Sequence, residues 1–223
     1  MFTNQSKIAV IGLGNIGKVV ASNLVKGNRE VMIASNKLQD AKELAQQLGH
    51  LAKPVEVSAA INDADIIIMS VWFSTIQELL KKFATELQGK IIVDPSNPIA
   101  PDGNGGFKKI IDANVSAGQV IVSLLPKNAK LVKAFGTLSA ASLANTAFKK
   151  PGVVSFYATN DTAINPVIEQ LLISSGFDPI NVGGIDQSIR IEVFGDLHEF
   201  GALGKPVTRA ELKQLAQPIL NLD

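Results

Sequence analysis

Short apolar runs rich in β-branched residues alternate along the chain with longer stretches in which apolar positions recur every three or four residues. Such alternation predicts strands interleaved with helices. Lys7–Ile11 reads as a buried strand. Asn15–Lys26 reads as a helix, with Ile16, Val19, Val20, Asn23 and Leu24 near helical spacing and Gly27-Asn28 as its stop. Val31–Ser35 is a second strand, and Leu38–Leu48 a second helix closed by Gly49. Val55-Glu56-Val57 reads as a short third strand. Ile66–Val71 is apolar throughout, as a parallel central strand covered on both faces should be. Thr75–Leu87 gathers Ile76, Leu79, Leu80, Phe83 and Leu87 on one side of a helix, and Lys90–Asp94 is a fifth strand.

The second half is less regular. Pro95–Gly106 is dense in Pro, Gly and Asn and reads as a loop. In "SAGQVIVSLLP" the β-branched residues suit a strand, but Ser116 suits a helix cap. Ala117–Leu125 is read as helix, because Lys130–Phe135 follows as the better strand and a parallel neighbour needs a crossover. Ser139–Leu143 reads as a short capped helix. Val153–Tyr157 (strand), Ala163–Ser174 (helix, capped by Asp161) and Pro179–Val182 (strand) repeat the βαβ rhythm. Thr208 and Glu211 fit a capping box at the start of a last helix. The expected class is α/β, an open parallel sheet with helices on both faces.

Composition narrows the function. Of 223 residues 46% are apolar, enough for a sizeable core, and the formal net charge is +1. No basic face is implied, so nucleic acid and membrane surfaces are not expected partners. The absence of cysteine removes disulfides, thiolate zinc sites and a cysteine nucleophile, and two histidines, His50 and His198, leave little for a metal site. No apolar run approaches the roughly 20 residues of a membrane span. The amino-terminal apolar run is broken by Gly12, Gly14 and Asn15, unlike a signal peptide. A cytoplasmic location is expected.

Gly12-Leu13-Gly14-Asn15-Ile16-Gly17 is G-x-G-x-x-G, placed between a strand and a helix. In that setting the first glycine permits the turn, the second lets backbone approach a pyrophosphate, and the third lets the helix pack close to the strand. The helix N-terminus offers free N–H groups to phosphate. The second strand ends Ile33-Ala34-Ser35-Asn36-Lys37, without the carboxylate that grips the ribose hydroxyls in NAD sites. Ser35 and Asn36 can donate hydrogen bonds and Lys37 brings a positive charge, which favours NADP(H). Ser35 and Asn36 would equally suit capping of the next helix.

Together, "IGLGNIGKVVASNLVKGNREVMIASN", "ADIIIMSV", "GKIIVDPSNPI", "LVKAFGTLSAASLA" and "SSGFDPINVGGIDQSIRIE" resemble the NADPH-dependent F420 reductase family, whose fold also forms the reductase domain of the STEAP ferric reductases. The resemblance runs from about residue 7 to residue 192. It implies a Rossmann-type, doubly wound parallel sheet, with an NADP-binding domain at 1–150 and a short C-terminal βαβ extension at 151–223. It implies NADPH bound by Gly12, Leu13, Gly14, Asn15 and Ile16, and by Ser35, Asn36 and Lys37. Further contacts would come from Ser70, Val71 and Trp72 and from Asn97 and Pro98. Ala134-Phe135-Gly136 would line the place where the nicotinamide meets a second redox ring. The chain departs from the family in three places. Ser35-Asn36 stands where Ser-Arg is usual, Gly136 where Asn or His is common, and "GDLHEFGALGKPVTRAEL" does not follow the archaeal reductases.

No catalytic constellation stands out, and the catalytic residues are left unassigned. Asp63 and Asp65 read as solvated turn residues, His50 as a surface residue and Phe73 as core, while Trp72 sits where ligands bind in open α/β sheets. His198 could protonate a substrate, but an exposed histidine in a polar segment is the simpler reading. Carbonyl reduction generally needs a proton donor, whereas hydride transfer between two rings needs mainly stacking and exclusion of water. The expected function is therefore hydride transfer between NADPH and a ring-type acceptor, coenzyme F420 or a flavin. The alternatives are an NADP(H)-binding redox sensor without turnover, or a small imine or carbonyl reductase. Ile189, Ile191, Val193, Phe194, Leu197 and Phe200 have no obvious partner within a plain Rossmann domain. Either a homodimer or packing onto the parent sheet would cover them.

Overall fold

The computed structural model describes residues 6–219. Its elements run β1 (Ile8–Ile11), α1 (Asn15–Lys26), β2 (Val31–Ala34), α2 (Leu38–Leu48), β3 (Ala52–Pro54), α3 (Val57–Asp63), β4 (Ile66–Met69), α4 (Phe73–Lys82) and β5 (Ile91–Asp94). A hairpin, β6 (Ile99–Pro101) and β7 (Phe107–Lys109), precedes α5 (Ala117–Val122), β8 (Lys130–Ala134) and α6 (Ala140–Thr146). The chain ends with β9 (Val154–Ala158), α7 (Asn165–Ser174), β10 (Asp178–Asn181), a 3-10 segment (Ile185–Arg190) and α8 (Arg209–Ile219).

Eight strands form one sheet in the order β10-β9-β8-β5-β4-β1-β2-β3. The six strands from β3 to β8 are parallel, and the chain winds outward from β1 in one direction and from β4 in the other. That reversal opens a crevice beyond the carboxyl ends of β1 and β4. Strand alternation divides the core. Ile8, Val10, Ile33 and Ile68 face one layer with α1, α2, α6 and α7, and Ala9, Ile11, Ile67 and Ile92 face the other with α3, α4 and α5. Burial on both faces explains why these strands are apolar at every position.

Five expectations are corrected. The third strand is Ala52–Pro54, and Val57 already begins α3; backbone pairing of Val31 with Ala52 fixes that register. The amphipathic helix starts at Phe73 and ends at Lys82 rather than spanning Thr75–Leu87. The Pro- and Gly-rich loop contains the β6–β7 hairpin, paired from Ile99↔Lys109 to Pro101↔Phe107. The helix read to Leu125 stops at Val122, while its Ser116–Gln119 capping box is present. Finally, β9 runs antiparallel to β8, so β9 and β10 form a parallel pair of opposite direction to the rest of the sheet. The Thr208–Glu211 capping box is present: the Glu211 carboxylate accepts from the Thr208 amide (2.8 Å) and hydroxyl (2.9 Å).

The apolar residues of the extension divide between two fates. Ile191 and Leu197 pack with Val154, Phe156 and Ala158 of β9 and Leu212 of α8 in a third core. Phe194 and Phe200 are exposed at 57% and 64%.

Candidate functional site

A cleft of about 780 Å³ lies at the carboxyl ends of β1, β2, β4 and β5. Its walls are the glycine loop Gly12–Ile16, then Ser35 and Asn36, Ser70–Phe73, and Pro95–Asn97 with Ile99. One segment follows each of the four strands, which is why residues far apart in sequence converge there.

The glycine loop is arranged as its chemistry requires. Gly12 has φ +92°, a conformation that side chains rarely adopt, and its N–H donates to Ala34 O at 2.9 Å. A Cβ on Gly17 would collide with the Gly12 carbonyl, so its absence sets the helix–strand approach. A Cβ on Gly14 would meet no protein atom within 4 Å. That position needs no glycine for packing, and the open space beside it leaves room for a ligand's close approach. Gly14 is also the N-cap of α1 and brings no side-chain hydrogen bond, and the first turn holds no acid. The amino end of a 12-residue helix thus faces the cleft with its amides and dipole uncommitted. The Ser96 hydroxyl, buried on the wall after β5, has no protein partner. These features fit a dinucleotide's pyrophosphate and a polar ligand edge beside β5.

The ribose corner differs from its reading in sequence. Ser35 is buried, and its hydroxyl stands 3.2 Å from Asp40 Oδ2 and 3.1 Å from Asn36 Oδ1. The Lys37 amide donates to Ser35 Oγ at 3.4 Å. Asp40, in the first turn of α2, lines the cleft, whereas Lys37 stands outside the lining residues. The strand end carries no carboxylate, but one from the helix stands at the cleft. The signal was available in sequence: a helix beginning at Leu38 turns its third residue back toward the strand it follows.

Of the other expected residues, Ser70, Val71, Trp72 and Asn97 line the cleft, with Trp72 exposed at 60%. Pro98, Ala134 and Gly136 stand outside the lining residues, and Ala134 and Phe135 are buried. Phe135 adopts φ +64°, a strained conformation for a bulky side chain. A Cβ on Gly136 would sit 2.7 Å from Pro95 O, so glycine is required by the approach of β8 to β5. Asn97 joins three segments. Its Nδ2 donates to Gly136 O at 3.1 Å, and its Oδ1 accepts from the Val193 amide at 2.7 Å.

His198 is 2% exposed, which corrects the reading of it as an exposed residue. Its Nδ1 accepts from the Phe200 amide at 3.0 Å, so Nε2 carries the hydrogen and donates to Gly136 O at 3.0 Å. Burial pushes its pKa down, against the Gly136 hydrogen bond and the Glu199 charge, which favour the proton. With both nitrogens engaged, it braces the Gly136 turn and is not presented to a substrate. His50 is exposed in a turn, as expected; Asp63 is exposed but ends α3, and Asp65 is half-buried and accepts from the Lys7 amide at 2.8 Å, so neither is the free turn residue expected.

Sequence reasoning also missed a buried charge cluster below the cleft. Lys133 Nζ lies 2.9 Å from Asp94 Oδ2, donates to Ser96 O at 2.6 Å and is 4.0 Å from Glu192 Oε1. Glu192 accepts from the Ala117 and Gly118 amides (2.8 and 3.1 Å) and from the Ser188 hydroxyl (3.1 Å). Glu199 does the same for α6, accepting from the Ser139 amide and from Ser142 Oγ at 2.6 Å. Partners up to 75 residues apart leave no local pattern. The cluster holds the Asp94–Asn97 turn, and hence one cleft wall, against the extension.

Comparison with known proteins agrees with this fold. Residues 7–98 match the family described as NADP oxidoreductase, coenzyme F420-dependent. The F420-dependent NADP reductase of Methanocaldococcus jannaschii is 25% identical over 202 residues, covering 86% of this chain and 90% of that protein. Metalloreductase STEAP3 of Rattus norvegicus is 25% identical over 187 residues, 83% of this chain and 36% of that protein. A solved structure of a hypothetical protein from Sinorhizobium meliloti superimposes with a TM-score of 0.80 at 26% identity, covering 92% of this chain and 96% of that one. Against other relatives, matched over 36% and 42% of this chain, the chain spans about a quarter of their length. No helix among the described residues is long and apolar enough to cross a membrane. By glycine loop, fold and sequence, the chain is a Rossmann-fold relative of the F420-dependent NADP oxidoreductases, matching that family over residues 7–98.

Proposed function

We propose that the chain binds NADP(H) in this cleft and transfers a hydride between NADPH and a ring-type acceptor, coenzyme F420 or a flavin. The observation that carries the reading is the lining of the cleft. Its glycine-loop end is built for phosphates, and from Ser70 to Ile99 the wall is Val71, Trp72, Phe73 and Pro95 with the neutral Ser96 and Asn97. Among the described lining residues none but Asp40, at the opposite corner, carries a titratable side chain.

When bound, the dihydronicotinamide would supply the hydride. The amides at the start of α1 would bind the pyrophosphate, and Gly14 would let it approach. Ser35, Asn36 and Lys37 would donate to the adenosine ribose and its phosphate. Trp72 offers a flat, exposed face on which a planar acceptor can stack, displacing water as it does so. Asn97, fixed by Gly136 and Val193, orients the wall opposite. Transfer between rings held roughly 3–3.5 Å apart needs no protein acid in the step. The extension's Phe194 and Phe200 would be covered by a second copy in a homodimer, which gel filtration or scattering would detect.

The test supplies NADPH with F420, FMN, FAD, an Fe(III) chelate or a panel of carbonyls and imines and follows nicotinamide absorbance. Turnover with ring acceptors is expected. Turnover confined to carbonyls or imines would replace the proposal with a small reductase. Tight NADPH binding without turnover would replace it with a redox-sensing module.

A further inference from the structure

We infer that Asp40 sets the choice of carrier, admitting NAD(H) beside NADP(H) by accepting the 2′-hydroxyl of an adenosine ribose and opposing a 2′-phosphate. The inference rests on the dinucleotide reading of the cleft and deepens it. Asp40 is the one charged side chain among the described residues that line the cleft, and it is negative. It reaches the wall because α2 starts directly after the β2 turn and Asp40 occupies the helix's first turn. Its Oδ2 stands 3.2 Å from the hydroxyl of Ser35, the residue that follows β2. A carboxylate at that spot can take the two ribose hydroxyls as hydrogen-bond donors, which is how an acid at the end of the second strand serves NAD sites. A 2′-phosphate has no hydrogen to offer it and brings about two negative charges instead.

The opposing contributions are weaker in placement. Ser35 has one hydroxyl hydrogen, and both Asn36 Oδ1 and Asp40 Oδ2 compete for it. Lys37, exposed as Asp40 is, stands outside the lining residues. Its flexible side chain can swing to a phosphate, which keeps NADP(H) a ligand, but an unfixed lysine does not exclude a carrier that lacks the phosphate. Asp40 also suits the dipole of α2, a role that would affect stability and leave carrier choice untouched. The two roles therefore separate experimentally.

The test titrates the full chain with NADPH and NADH, and with 2′,5′-ADP and 5′-AMP as adenosine-end probes, by calorimetry. Wild type, Asp40→Asn, Asp40→Ser and Glu43→Gln are compared at fixed salt. Glu43→Gln removes a like charge from the same helix outside the cleft lining. Wild type is expected to bind NADH and NADPH within about tenfold of each other. Both Asp40 variants should tighten NADPH and 2′,5′-ADP and loosen NADH, moving the affinity ratio by about tenfold or more, equivalent to about 1.4 kcal/mol. Glu43→Gln should move it less than about twofold, within the reach of a screened surface charge. Wild-type preference for NADPH beyond about a hundredfold, or a ratio unmoved by both Asp40 variants, would overturn the inference while leaving the cleft's ligand in place. Failure of wild type to bind any of the four probes would remove the dinucleotide reading and the inference with it.

Discussion

The two ends of the sheet are held by different physics. From β3 to β8 each strand is parallel to its neighbours, and apolar side chains fill both faces. At the other end β9 and β10 reverse direction, and the segment after β10 is fastened by buried polar groups: Glu192 on the start of α5, Glu199 on the start of α6, and His198 on Gly136. The first arrangement places backbone at the cleft, because strand ends and glycine turns decide where amides point. The second places the turns behind that backbone, through Asn97, Gly136 and Lys133. The cleft therefore depends on the apolar half for its floor and on the polar half for one wall.

The comparison breaks most sharply at Lys133. Its side chain is 3% exposed between Asp94 and Glu192. Lys133→Met would leave two buried carboxylates facing each other and should cost about 3–5 kcal/mol, read as a loss of denaturant midpoint. Retention of wild-type stability would mean that the cluster does not anchor the extension. Gly17→Ala comes next. The added methyl meets the Gly12 carbonyl, so overpacking of about 1–3 kcal/mol is expected, seen as a drop in Tm before any ligand is added.

These contrasts also explain what could be read from sequence. Helix α1 was legible to the residue because Gly14 and Gly27 punctuate a periodic run. The third strand was misplaced because Val55-Glu56-Val57 alternates like a strand, yet only pairing with β2 tells that Ala52–Pro54 is the edge. The reversal of β9 left no trace, since hydrophobic alternation carries no information about strand direction. Within the site, glycine spacing marked the phosphate end. Asp40 lay one helical turn past the positions where an acid is usually sought, and the burial of His198 depends on a turn folding against Gly136, 62 residues away.

The smallest expected effect sharpens the polar half. Burial holds the His198 pKa below its usual 6.5. The unfolded chain therefore takes up a proton that the folded chain resists, so stability is complete above the unfolded value and falls as pH drops through about 6.5 toward the folded value. Thermal melts between pH 5 and 8 should show this slope in wild type and a shallower one in His198→Asn. Equal slopes would mean that folding leaves the His198 pKa unchanged.

The central claim is that backbone at the glycine loop receives a dinucleotide's phosphates. Calorimetric titration of wild type and Gly14→Ala with NADPH tests it most directly, because a Cβ at Gly14 points into open space. The account predicts one NADPH per wild-type chain. It predicts that Gly14→Ala keeps the fold, at a cost of about 1 kcal/mol or less in helix capping, while affinity falls by about tenfold or more, the equivalent of at least about 1.4 kcal/mol. Equal NADPH affinity in the two proteins, or no binding to wild type, would contradict it.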